Sequence, residues 1–360
     1  MQKNIDPTSG CSEQVLRLFL AVDIAGSSSY KYRTSAATIN GEQEPWHQTF
    51  CHVFSSIYNS IRQEINRFRN NFHFSYFTVK LWRITGDEVV FFIDLPSHMA
   101  AYWSMLAFIP IVRQYDHNCS ERYGVGIKGF AWTAGFPIRN RRIQLSNVSS
   151  NAQITSIDDE ESPKFFSGLK SSVHIYTDFM GPEMDQGFRL GTHSVPGRIL
   201  VSPDAAFITA KGRFEADRFD LLQSNSERED RQSSIPPMRF VHVGWSALNG
   251  VLGEEPVPIL WAEDIEASDE KIFRRRVFDH VTNSHEAAYR NIKARINDGL
   301  EGILDYEELI IFFRHLHSSF VRSGVSHVIP YVSYSDMDED HAEAWRLGAE
   351  WMMDLTEMGG

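Results

Sequence analysis

The chain has 360 residues, 42% apolar and 23% charged, with 25 Phe and 8 Trp, enough for a buried core and too much for a disordered polymer. Its formal net charge of −12 argues against wholesale binding to nucleic acid or an anionic membrane, while a single nucleotide needs only local positive charge. Cys11, Cys51 and Cys119 are too few and scattered for a disulfide framework or a zinc knuckle, and read as reduced structural thiols. The start of the chain has no apolar run after a basic stretch. The most apolar long window, Met99 to Val112, is too short to span a bilayer, so a soluble, cytoplasmic protein is expected.

The first element, Val15 to Ile24, is a near-continuous apolar run that predicts a buried central strand, followed by a loop at Ala25-Gly26-Ser27-Ser28-Ser29. Phe50, Phe54, Ile57, Ile61, Ile65 and Phe68 step by three or four, the mark of an amphipathic helix. Phe77 to Arg83 alternates, Thr85-Gly86-Asp87 turns and Val89 to Ile93 returns, a hairpin. A second helix is predicted over His98 to Tyr115, and a strand over Tyr123 to Thr133. Strand, helix, hairpin, helix, strand is the ferredoxin-like split βαβ layout of an α/β (α+β) domain.

Residues 139–172 are polar and read as a long insertion. A strand then resumes at Val173 to Tyr176, a helix opens at about Glu183, and Ile199 to Val201 is a short strand. Ser224 to Pro237 reads as a surface loop. Phe240 to Trp245 and Val257 to Trp261 form a last strand pair around Asn249-Gly250. The domain expected over 1–266 gives way to a helical extension over 267–360, with candidate helices at 272–294, 306–320 and 341–355.

Two carboxylates stand out. Asp23 ends the central strand and Asp87 lies in the hairpin turn, positions that a split βαβ sheet brings together. Neighbouring carboxylates repel unless a cation or proton separates them. Such a pair suits two divalent ions about 3.5–4 Å apart, one activating a nucleophile and one steadying phosphates. Gly26, Ser27 and Ser28 add backbone N–H groups and hydroxyls suited to a polyphosphate. Singly, Asp23 reads better as a helix cap and Asp87 as a common turn residue.

Taken together, Ala21-Val22-Asp23-Ile24-Ala25-Gly26-Ser27-Ser28 resembles the first metal motif of the class III nucleotide cyclases. Arg83-Ile84-Thr85-Gly86-Asp87 resembles that family's second metal motif, where a base-reading Lys normally stands at the position of Arg83. Asp178-Phe179-Met180-Gly181 and the helical pair Asp185 and Arg189 are similar to its base-reading Asp and its Asn/Arg pair. Pro196 to Ser202 then matches the following strand, so the resemblance covers about residues 15–262.

It implies two divalent cations per site, Mn²⁺ or Mg²⁺, on Asp23, Asp87 and the Ile24 carbonyl, with Arg189 on the α-phosphoryl. It also implies a head-to-tail homodimer with shared sites, in which Asp23 and Asp87 of one protomer face Arg83, Asp178, Asp185 and Arg189 of the other. Arg83 for Lys, Asp185 for Asn, and the wording Gly-Pro-x-x-Asp-x-Gly-Phe-Arg are most like the pyrimidine cyclases of bacterial Pycsar antiphage systems. The expected reaction is therefore UTP to cyclic UMP, the product being read by a separate cyclic-nucleotide-binding effector. A cytidylate cyclase, an ATP or GTP cyclase and a nucleotide sensor without turnover are the alternatives.

The phosphate-binding Lys that many such enzymes carry near the last strand pair is replaced here by Ala247-Leu248-Asn249-Gly250-Val251. That leaves Lys31, Arg33 or the Arg139, Arg141 and Arg142 cluster as substitutes. Gly124 to Gly129 spells a dinucleotide-binding fingerprint, but no helix opens after it, and small residues in a crowded strand explain it better. Asp336, Asp338 and Asp340 mimic a calcium loop that lacks its turn glycine, and His315 and His317 point to different helix faces.

Overall fold

The computed structural model describes residues 14–39, 46–72, 77–148, 151–157, 175–223, 238–264, 302–304, 306–327 and 330. The chain runs β1 (Val15–Ala25), α1 (Ser27–Ile39), α2 (Trp46–Phe72), β2 (Lys80–Thr85), β3 (Glu88–Asp94), α3 (His98–Tyr123) and β4 (Gly126–Phe136). These strands lie in the order β4-β1-β3-β2, with β1 antiparallel to both neighbours. That is the split βαβ arrangement the alternation of elements predicts.

Both faces of β1 are buried, which is why it lacks a polar alternation. Leu18, Leu20 and Val22 join the core under α2 and α3, while Phe19 and Ala21 face a second, aromatic core with Trp132 and Phe179. The site lies on this second face.

The strand predicted at Tyr123 to Thr133 sits three residues later, because α3 continues to Tyr123 and closes on Gly124. The insertion at 139–172 is not wholly irregular: β5 (Arg141–Val148) and β6 (Asn151–Ile157) form a hairpin within it. Together with β7 (Ile175–Met180) they make a separate three-stranded sheet. α4 (Pro182–Gly191), β8 (Ile199–Val201), α5 (Pro203–Gln223), β9 (Met238–Ala247) and β10 (Pro256–Asp264) follow. β8 pairs in parallel with β4 and carries the main sheet on through β10 and β9.

Two helices departed from the sequence reading. α1 occupies the stretch expected to be a loop; among its described side chains only Ser27, Tyr30 and Thr34 are buried, so it shows no apolar stripe. α5 was unassigned because its first half is buried on several sides (Ala205, Ala206, Phe207, Ile208, Ala210), which erases periodicity.

Beyond 266, β11 (Gly302–Leu304) pairs with β9, and α6 (Tyr306–Arg322) stacks Phe313 on Phe207 of α5 at 4.3 Å between ring centroids. The candidate helices at 272–294 and 341–355 and the Asp336–Asp340 run lie outside the described residues. No helix among the described residues is long and apolar enough to cross a membrane.

His242 on β9 lies against Trp245 and Phe312, 7% exposed, and burial pushes its pKa down to about 4. Between that value and its ordinary 6.5, the unfolded chain holds the extra proton. Stability is therefore full above pH 6.5 and falls as pH drops toward 4, by at most about 3 kcal/mol from this residue. His98 and His317, also lowered by burial, act in the same direction. His242→Phe is expected to flatten the fall in urea-unfolding free energy between pH 7 and 4. An unchanged slope would refute the assignment.

Candidate active site

The site begins where β1 leaves the sheet. Gly26, at φ +81°, turns the chain from β1 into α1, a conformation that favours glycine. The β2–β3 hairpin returns beside it, and the Ile24 N–H donates to the Asp87 carbonyl at 3.0 Å. That bond fixes Asp87 next to the end of β1, one residue from Asp23.

Glu88 opens β3 directly opposite Asp23, and Lys128 of β4 faces Asp23 from the other side. By the two-residue period, both share the aromatic face with Phe19, Val90 and Phe130. The Lys128 ammonium forms an ion pair with Asp23, and the Ser27 hydroxyl donates to Asp87. Burial raises the Glu88 pKa, Asp23 and then Asp87 raise it further, and Arg83 and Lys128 oppose the shift. Three carboxylates thus crowd one corner.

Ser27 is the first residue of α1 and is spent on Asp87, while Ser28 is exposed. The expected loop is therefore a helix N-terminus, whose free N–H groups favour anions.

Lys31 lies over the rings of Trp46 and Phe50, at 5.2 and 5.5 Å from their centroids. Arg33 donates to the Tyr123 carbonyl at 2.8 Å, and Arg139 pairs with Glu183 at 2.7 Å. These three of the five substitutes for the missing phosphate lysine are engaged elsewhere.

The second group centres on Arg83 of β2 and Asp178 of β7, 3.6 Å apart. That distance is an ion pair but beyond hydrogen-bond reach, so neither group's hydrogen-bonding capacity is spent on the other. The Arg83 guanidinium lies 4.3 Å from the Trp82 ring centroid and 4.6 Å from that of Phe188, which fixes its plane. Its Nε is buried and has no hydrogen-bond partner among the described residues.

Phe188 comes from α4, which also bears Asp185 and Arg189, both exposed. Neither side chain makes an ion pair within the described chain. Asn140 caps this helix: its Oδ1 accepts from the Glu183 and Met184 N–H groups, while its Nδ2 donates to the Gly135 carbonyl and to Glu183.

Among the described residues no three His, Cys, Asp or Glu side chains gather closely enough to hold a metal ion by themselves. Asp23, Asp87 and the Ile24 carbonyl offer oxygen ligands of the kind that Mg²⁺ and Mn²⁺ prefer, and such ions take only one or two carboxylates where a substrate's phosphates complete the set; Asp23 already pairs with a cation in the form of Lys128. Sequence reasoning missed Glu88 and Lys128. Strand alternation signals Glu88, since Val90 and Phe92 share its parity; Lys128 needs the β1–β4 register. The dinucleotide-like glycines are indeed crowded: a Cβ on Gly129 would meet Ile199 at 2.7 Å. A cavity of about 250 Å³ at the opposite end of β1 is lined by Leu16, Phe136, Arg139 and Asp204; of the candidate residues it touches Arg139 alone and neither the carboxylate corner nor the Arg83–Asp178 pair.

No protein-family model and no curated protein matches the chain. Among solved structures it is similar to the adenylyl cyclase CyaB from P. aeruginosa, at 13% identity over 71% of this chain and 97% of that one, TM-score 0.37. It is also similar to the guanylate cyclase domain of RhGC from Catenaria anguillulae in complex with GTP, at 10% identity over 71% and 100%, TM-score 0.37. A third is the adenylate/guanylate cyclase/hydrolase from Silicibacter pomeroyi, at 15% identity over 71% and 99%, TM-score 0.34. At these values no neighbour assigns a role to any residue.

Proposed function

We propose that the chain is a nucleotide cyclase that converts UTP to 3′,5′-cyclic UMP and pyrophosphate. The observation that carries this reading is the meeting of Asp23 and Asp87 at the end of β1, with a lysine ammonium and a hydroxyl on the two carboxylates. Asp23, Asp87 and the Ile24 carbonyl would hold two divalent cations, Mn²⁺ or Mg²⁺, which lower the pKa of the nucleotide 3′-hydroxyl and neutralise its phosphates. The 3′-oxygen forms a bond to the α-phosphorus as its proton leaves to solvent. The bond to the β-phosphate oxygen breaks, and pyrophosphate departs.

Arg189 stabilises charge on the α-phosphoryl in the transition state, a task that suits its planar fork. Arg83 donates to a uracil carbonyl, and Asp178 accepts from N3–H. Their 3.6 Å separation leaves both available to a base edge. Asp185 lies one helical turn from Arg189, on the same face of α4.

Within one chain no hydrogen bond or ion pair among the described residues joins the carboxylate corner to Asp185 or Arg189. A head-to-tail homodimer would bring the corner of one protomer to Asp185 and Arg189 of the other. The defence role and an effector reading the product belong to the same proposal and rest on the sequence resemblance.

Purified protein offered ATP, GTP, CTP and UTP separately with Mn²⁺ is expected to yield cyclic UMP as the dominant product by mass spectrometry. Cyclic CMP, cyclic AMP or cyclic GMP would overturn the base assignment, and no product from folded dimer would overturn the enzyme. Arg83→Lys, which loses the fork and its packing against Trp82 and Phe188, is expected to raise KM for UTP about tenfold. An unchanged KM would remove Arg83 from base reading.

A further inference from the structure

Lys128 is the one site cation that the sequence motifs do not account for. It projects from β4 in register opposite Asp23, and its ammonium pairs with the carboxylate that the proposed function gives to metal. Its side chain is 25% exposed, so it is not locked into the sheet. The surrounding charge is unbalanced: Asp23, Asp87 and Glu88 face Lys128 and Arg83. Arg83 packs against two rings and lies beside Asp178, whereas a lysine is a compact charge on a flexible stem that can change partners. Three of the other cations considered for the phosphates are committed: Lys31 to Trp46 and Phe50, Arg33 to a backbone carbonyl, Arg139 to Glu183; Arg141 and Arg142 open β5, in the other sheet from Lys128.

We propose that Lys128 is the triphosphate-binding lysine of this site, parked on Asp23 in the free protein and transferred to the β- and γ-phosphates when Asp23 is taken by a divalent cation. The inference rests on the nucleotide cyclase reading and adds the residue that fills its missing phosphate contact. In the free chain the ammonium stands where a metal would, keeping the acidic corner from repelling itself. In the loaded site an anion of high charge lies beside the same corner, and the ammonium exchanges one oxygen partner for another with no net loss of pairing. Lys128 therefore opposes binding of metal alone and favours binding of metal with polyphosphate.

Those two effects have opposite signs, and a merely structural lysine would not produce them. Lys128→Met keeps the length and removes the charge. Mn²⁺ alone, followed by the electron paramagnetic resonance signal of the free ion, is expected to bind the variant about tenfold more tightly than wild type. Inorganic tripolyphosphate added with Mn²⁺, followed by calorimetry, is expected to bind it about tenfold more weakly, and Lys128→Arg should restore the wild-type order of both.

Thermal unfolding of each variant without ligand shows whether the fold is kept. Both affinities weakened, or both unchanged, in a folded variant would overturn the role of Lys128 and leave the cyclase reading standing. Wild-type protein that makes no cyclic nucleotide from any triphosphate, yet shows the opposed shifts on substitution, would overturn the cyclase reading and support Lys128.

Discussion

Asp23→Ala is expected to lower cyclic-nucleotide formation by at least about a thousandfold while leaving the protein folded. The large loss follows because the side chain is the only carboxylate that β1 supplies to the corner where Asp87 and Glu88 meet. The fold is expected to survive because Asp23 lies at the rim of the strand and is not fully buried, while Leu18, Phe19, Leu20, Ala21 and Val22, which carry the core, are untouched. The substitution leaves Lys128 without its partner next to Glu88, an exchange that keeps the cation paired.

Activity and the unfolding midpoint are the two measurements. Activity within tenfold of wild type would refute the metal role of Asp23. Mixing Asp23→Ala with Arg189→Ala protomers carries the shared-site geometry further. Each mixed dimer keeps one site with both groups intact, so activity is expected to return. Confirmed mixed dimers without activity would refute sharing between protomers.

Gly187→Ala is expected to lower kcat about a hundredfold, although Gly187 touches no substrate. α4 lies directly on the indole of Trp132: a Cβ at Gly187 would stand 2.5 Å from three of its ring atoms, and one at Gly191 would stand 2.7 Å from Phe130. Trp132 cannot retreat, because it is stacked on Phe19 at 5.1 Å and Phe130 at 5.2 Å and is 1% exposed. The helix must lift instead, carrying Asp185, Phe188 and Arg189 with it. A displacement of about 1 Å in a positioning element costs on the order of a hundredfold in rate.

Alanine improves intrinsic helix propensity by about 1 kcal/mol, while overpacking costs about 1–3 kcal/mol, so the stability change is expected to be smaller than the activity change. Retained kcat would show that the helix position is not critical. Loss of the folded state would place the cost in packing alone, and Trp132→Phe in the same background should then relieve it.

Much of this was legible in the sequence because the responsible patterns are local. The apolar run ending in Asp23, the alternation around Thr85-Gly86-Asp87 and the six-member stripe of α2 each name their element without help from the rest of the chain. α1 and α5 were not legible for opposite reasons: one buries too little of its surface to show a stripe, the other too much. The β5–β6 hairpin lies in a polar stretch whose pairing is set by register with β7.

At the candidate site, Asp23 and Asp87 were picked out as a carboxylate pair, and Arg83 and Asp178 through the resemblance to family motifs; the structure places Arg83 3.6 Å from Asp178. Lys128 could not be picked out, since its meeting with Asp23 depends on how β4 is registered against β1 across a hundred intervening residues.

Arg83 and Asp178 belong to different sheets. Arg83 stands on the outer strand of the eight-stranded sheet, and Asp178 on β7 of the three-stranded one. The gap between them is a distance between two bodies and is not set by any single element. Between those bodies lies the aromatic layer of Trp82, Phe92, Phe136 and Phe179, with centroids 5.1 to 5.3 Å from that of Phe179. Phe179 meets Phe92 and Phe136 edge-on, at 77° and 62°, and Trp82 at 55°, so its ring keys the small sheet into the large one and resists sliding as well as separation. The distance between Arg83 and Asp178 is thereby held by the packing of these rings and not by either backbone alone.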